Sequence, residues 1–133
     1  MNKTLLQCIA AGLITAFASI SYLMLYESIL YVDFSQILNV GSVAGASIFG
    51  CLLIAIGYLI LEKMNKEKWK GGLNILIIFL SFLSILGPIS MSLPLDLEFP
   101  ELFPGLAIPM HFFPALIFFG LQPFFTKKTW NYE

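Results

Sequence analysis

The chain has 133 residues, of which 59% are hydrophobic and 11% charged, with a net charge of −1. Soluble domains carry about 45–50% apolar and about 25% charged residues, so a water-exposed fold has no means of covering this much apolar surface. The seven basic residues are all lysine, which removes the bidentate arginine clamp for phosphate and carboxylate; no nucleic-acid partner is expected.

The apolar residues run continuously instead of alternating, and a bilayer admits only helices or closed barrels, so the expected class is all-α. A spanning helix needs about 20 apolar residues, and four stretches meet that length: residues 4–26, 41–61, 72–93 and 103–125. They define a single domain over residues 1–133, a polytopic four-transmembrane-helix bundle. Lys3 and the Ala16-Phe17-Ala18 triplet have the outline of a cleaved leader. The apolar run continues unbroken to Tyr26, however, so the first span is expected to be retained.

Helices in lipid associate through small residues and close packing, because a leucine gains nothing by leaving an equally apolar solvent. In the first span Cys8, Gly12, Thr15, Ser19, Tyr22 and Tyr26 share one face. The second span has two such faces: Ala44, Ser47, Cys51, Ala55 and Tyr58 on one, Ala46, Gly50 and Gly57 on the other. Two small faces imply two neighbours, which makes this the expected central helix. The third span aligns Asn74, Ser81 and Pro88 with Ser84 beside them, and the fourth aligns Pro104, His111, Ala115 and Gln122. Pro88 and Pro94 punctuate the end of the third span, and Pro104, Pro109 and Pro114 the start of the fourth; those interior to a helix remove a backbone hydrogen bond and kink it. Leu95-Asp96-Leu97-Glu98-Phe99-Pro100 alternates apolar and acidic residues, the pattern of a segment lying on the outer interface with its apolar side chains down.

Lysine placement sets orientation. Lys3 precedes the first span; Lys63, Lys66, Lys68 and Lys70 lie between the second and third; Lys127 and Lys128 follow the fourth. The other two loops hold Glu27, Asp33, Asp96, Glu98 and Glu101 and no lysine. The expectation is therefore a multi-pass protein of the plasma or inner membrane with both termini cytoplasmic. Trp69 and Trp130 fall at the cytoplasmic ends, where an aromatic belt belongs.

His111 is the one ionisable residue well inside a span, and intramembrane ionisable residues are candidates for function. At similar depth the spans place Tyr22, Tyr26, Glu27, Ser42, Ser47, Ser84 and Ser90. The candidate ligand or ion pocket is accordingly His111, Tyr22, Tyr26, Glu27 and Ser84, open to the outside, with Glu27 as a partner for His111. The competing role for His111 is structural, satisfied by one hydrogen bond. Cys8 and Cys51 are not spaced for redox or metal chemistry, no metal or other cofactor is expected, and no catalytic signature is present. Two readings follow. One is an accessory or assembly subunit packing against other membrane proteins. The other is a homo-oligomeric small channel or transporter using the pocket around His111. An enzyme is the less favoured third.

Overall fold

The computed structural model describes residues 3–125. It is all-helical, in the order α1 (Lys3–Leu30), α2 (Val40–Lys63), α3 (Lys70–Ser84), α4 (Leu86–Ser90) and α5 (Phe103–Phe125). Short 3-10 turns precede α3 and α5. Four helical segments are long and apolar enough to cross a membrane: Lys3–Leu30, Val40–Lys63, Glu67–Ser90 and Pro100–Phe125. The protein is thus a multi-pass α-helical membrane protein.

Side-chain pairs fix the topology. Thr4 meets Glu62, Ser19 meets Ser47, and Tyr26 meets Leu102, so α1 runs antiparallel to α2 and α5. Tyr58 meets both Asn74 and Gln122, which pairs the lysine-side ends of α2, α3 and α5. The up-down-up-down course carries the described lysines to one end and the loops bearing Glu27, Asp33, Asp96, Glu98 and Glu101 to the other. Lys127, Lys128 and Trp130 lie outside the described residues. Trp69, 67% exposed, flanks α3 at the lysine end.

The packing of α1 is inverted relative to a soluble helix. Its buried residues are Thr4, Gln7, Cys8, Ala11, Gly12, Thr15, Ala16, Ser19 and Leu23, small or polar but for one. Leu13, Phe17, Met24 and Leu25 point outward. Lipid solvates those large side chains, while the small ones let backbones approach. The two small faces of α2 meet different partners. Ser47 and Cys51 contact Ser19 and Thr15 of α1, whereas Gly50 lies against Pro114 of α5 and Gly57 against Leu73 of α3. The central position is shared, since α5 also touches α1, α2 and α3.

Two apolar cores sit on either side of this polar waist. The one nearer the lysine end gathers Cys8, Ala11, Cys51, Ile54, Ala55, Tyr58, Ile77, Ala115 and Phe118. The outer one gathers Leu23, Val32, Phe34, Val43, Leu97, Phe103, Leu106 and Ala107. Phe34 comes from a loop, and its ring stands edge-on to Phe103 with centroids 5.6 Å apart.

Helix ends follow from local chemistry. Tyr31 (φ 54°) and Asn65 (φ 53°) are left-handed residues just past α1 and α2. The next amide in each case reaches back five residues, Val32 to the Glu27 carbonyl and Lys66 to the Leu61 carbonyl, closing Schellman motifs. The N-terminus of α2 is a capping box: the Asn39 side chain accepts from the Ser42 amide at 2.8 Å, and the Ser42 hydroxyl oxygen accepts from the Asn39 amide at 3.1 Å. In the α1–α2 loop, hydrogen bonds from the Ser35 hydroxyl and amide hold the Asp33 carboxyl below the usual carboxylate range.

One expectation is refined and one needs correction. The third span turns at Ile85 between α3 and α4, three residues before Pro88, and its helix ends at Ser90. Pro88 has no N–H for the Ser84 carbonyl four residues back, and its ring crowds that carbonyl. Beyond Ser90 the backbone is extended at Met91 (φ −71°, ψ 128°). The segment 95–100 does not lay its apolar side chains down together. Leu97 is buried, whereas Leu95 is fully exposed and Phe99 is 52% exposed. A turn from the Leu97 amide to the Pro94 carbonyl and the left-handed Phe99 (φ 53°) interrupt the extended alternation that pattern requires.

Candidate functional site

α1, α2 and α5 form the tight part of the bundle, and α3 leans on it. Ile77 is the one buried residue of α3 among the described residues. Between α2 and α3, floored by α5, lies a cleft of about 540 Å³. Phe49 and Leu53 of α2 and Leu76 and Leu80 of α3 form exposed lips, so the cleft faces the bilayer sideways. The half toward the lysine end is apolar. The half toward the acidic loops holds Ser42 and Ser47 from α2, Ser81 and Ser84 from α3 and His111 from α5. His111 lies eight residues into α5, about 12 Å from the start of that helix. Its Nδ1 is 2.8 Å from the Ala107 carbonyl oxygen. A carbonyl only accepts, so Nδ1 carries the proton.

Of the five residues expected to form one pocket, the structure brings two together, His111 and Ser84. The other three are engaged elsewhere. The Tyr22 hydroxyl donates to the Gly105 carbonyl at 2.9 Å, and the Tyr26 hydroxyl to the Leu102 carbonyl at 2.7 Å, both across the α1–α5 interface. The Glu27 carboxylate accepts the Phe34 amide at 2.9 Å, tying the α1–α2 loop to the end of α1. Glu27 therefore partners a loop amide and not His111. Ser90 donates to the Gly87 carbonyl and is not among the cleft-lining residues.

A proline accounts for the Tyr22 contact. Pro109 cannot donate to Gly105 four residues back, and Tyr22 supplies the missing proton. Pro123 likewise leaves Phe119 without its helical donor, and in the adjacent turn Gln7 donates to the Phe118 carbonyl at 2.9 Å. Gly105 has no room for a side chain, because a Cβ there would overlap the Tyr26 hydroxyl. Gly105→Ala is expected to lower stability by about 1–3 kcal/mol, and by clearly less in a Tyr26→Phe background. Chemical unfolding in micelles of the four variants in that cycle checks it; equal losses in both backgrounds would contradict the contact.

A second polar cluster lies toward the lysine end. The Tyr58 hydroxyl donates to the Asn74 side-chain oxygen and accepts from the Gln122 amide at 3.1 Å, joining α2, α3 and α5. Beside it Thr4 donates to Glu62 at 2.6 Å, and Lys70 sits 3.7 Å from Glu62 and 3.9 Å from Glu67. Tyr58, Asn74 and Gln122 each stand on a polar face readable from sequence, but their meeting depends on the register between helices, which sequence does not carry. Among the described residues no group of three or more His, Cys, Asp or Glu is placed to hold a metal ion.

Comparison with protein-family models, with curated proteins and with solved structures finds no match. Fold and site define a class: a multi-pass helical membrane protein with a laterally open cleft.

Proposed function

We propose that the protein is an accessory or assembly subunit of the plasma or inner membrane, with both termini cytoplasmic, that packs against another membrane protein. The observation that carries this reading is the position of α3. A complete membrane-crossing segment contributes one buried residue to the chain's own core and presents a ridge of large apolar side chains, Ile75, Phe79 and Leu86, away from it. The polar contacts support it as well. Tyr22, Tyr26, Gln7, Tyr58 and Asn74 spend their polar atoms holding helix to helix. The orientation rests on the lysine end facing the cytoplasm.

The second reading, a homo-oligomeric channel or transporter, is favoured by one observation, the grouping of His111 with Ser84 in a cleft that a second copy would close. Mass measurement of the complex extracted gently from native membranes separates the two. A different membrane protein in fixed stoichiometry is the expected result. Copies of this chain alone would overturn the accessory reading and direct flux assays to His111 variants. A C-terminal reporter active only outside the cytoplasm is expected to stay silent, and activity would refute the orientation.

A further inference from the structure

The polar groups of the α2–α3 cleft share a property that their residue types do not reveal: their protons are already committed. The Ser42 hydroxyl donates to the Asn39 carbonyl at 2.8 Å, Ser47 to the Ser19 oxygen at 3.1 Å, Ser81 to the Ile77 carbonyl at 3.0 Å and Ser84 to the Ser81 carbonyl at 2.7 Å. His111 spends its Nδ1 proton on Ala107. What each has left to offer is a lone pair: a hydroxyl oxygen in four cases, that of Ser47 turned toward Ser19 of α1, and Nε2 of the Nδ1–H tautomer of His111 in the fifth. The half of the cleft toward the acidic loops is an array of acceptors.

Four of these acceptors, Ser47, Ser81, Ser84 and His111, gather near one depth, while Ser42, in the capping box of α2, lies about 7.5 Å further toward the acidic loops. Gly50 abuts Pro114, which sets Ser47 level with His111, and the Phe82 and Phe112 rings meet edge to face with centroids 4.9 Å apart, which brings Ser81 and Ser84 to a similar height. From there toward the lysine end the walls are Leu53, Ile54, Leu73, Leu76 and Leu80. That apolar half, from Leu80 to Leu73, extends about 10 Å. The whole cleft, about 540 Å³, lies within the range of about 300–1,000 Å³ typical of small-molecule pockets.

We propose that the cleft binds a membrane amphiphile with an uncharged hydroxyl head and a single apolar chain, the hydroxyl at the level of Ser47, Ser84 and His111 and the chain toward the lysine end. Acceptors require a donor, which rules against a carboxylate or phosphate head. The outer loops, carrying Glu27, Asp33, Asp96, Glu98 and Glu101, repel such anions further. An ammonium is also a donor, but among the described residues no carboxylate lines the cleft, so the cation would be buried there without a counter-charge. A hydroxyl gives its one proton to Nε2 or a serine oxygen and needs nothing more. This site concerns the isolated chain and stands independently of any protein partner.

The test uses the purified full chain in lipid nanodiscs and three photoreactive alkyl probes of equal length, ending in a hydroxyl, a carboxylate and a primary ammonium group. Crosslinked peptides are read by mass spectrometry. The alcohol is expected to label the walls of α2 and α3 around Leu53, Leu76 and Leu80 saturably, at concentrations about tenfold lower than the other two. In His111→Phe, which keeps an aromatic side chain but removes the acceptor, that preference is expected to shrink. Equal labelling by all three probes, or alcohol labelling spread evenly over the lipid-facing helices, would overturn the proposal. The wild-type comparison decides the matter even if the variant does not fold. A missing protein partner, by contrast, would leave these labelling results untouched.

Discussion

Phe34→Ala is expected to destabilise the fold by about 3–5 kcal/mol, the range for removing a fully buried phenylalanine. Phe34 has no exposed surface although it belongs to a loop, and it packs with Phe103, Leu23 and Leu106 in the outer core. Its amide is the donor held by Glu27, so ring and backbone pin the same turn. Truncation leaves a void beneath the α1–α2 loop that the short connection between Tyr31 and Asn39 is poorly able to collapse. Denaturant titration in micelles measures the loss. Proteolysis between Tyr31 and Asn39 is expected to accelerate in parallel, because the loop loses its anchor. A loss below about 1 kcal/mol would mean that Phe34 is not seated in that core.

Gly50→Leu is the second large effect, about 3 kcal/mol at the upper end for overpacking. A Cβ at Gly50 would come within 3.0 Å of Pro114 Cγ and 3.1 Å of Pro114 Cβ. The opposing atoms belong to a proline ring, which has no rotamer to move out of the way. Replacing glycine inside a helix normally gains up to about 1 kcal/mol, so the clash has to exceed that gain for the predicted sign to hold. Gly45→Leu is the internal control, because nothing lies within 4 Å of a Cβ there. It is expected to be neutral or stabilising. Comparable losses at both positions would show that α2 and α5 do not approach each other at Gly50.

Architecture was legible in this sequence because lipid simplifies the code. The continuous apolar runs gave four spans, and small or polar residues at helical spacing marked the buried face of α1 through Cys8, Gly12, Thr15 and Ser19. A stripe, however, tells which face is inside without telling which neighbour it meets. Tyr22 and Tyr26 continue the same stripe, but Pro109 leaves the Gly105 carbonyl without its helical donor opposite Tyr22, and both tyrosines pair with α5. That capture is why the expected pocket divides into a cleft containing His111 and Ser84 and an interface containing Tyr22 and Tyr26. Phe34 was illegible for a different reason. A single apolar residue between Asp33 and Ser35 has no periodicity to mark it as buried. Pro88 announced a kink, but whether the helix resumed for one turn or several depended on contacts of α4 with α5 that no local pattern encodes.

The polar contacts of α1 also bear on how the protein is made. Thr4 waits for Glu62, Thr15 for Cys51, Ser19 for Ser47, Tyr22 and Tyr26 for the start of α5, and Gln7 for Phe118, 111 residues further along the chain. During synthesis the first helix to enter the bilayer is therefore the last to be completed. Until α5 emerges, the side chain of Gln7 must sit in the headgroup region or find a temporary partner. A chain halted before α5 should be held in an immature, protease-sensitive state even though three of its spans are already inserted. The closing step of maturation is then the arrival of a proline-rich final helix, whose freed carbonyl at Gly105 is answered by a tyrosine made some eighty residues earlier.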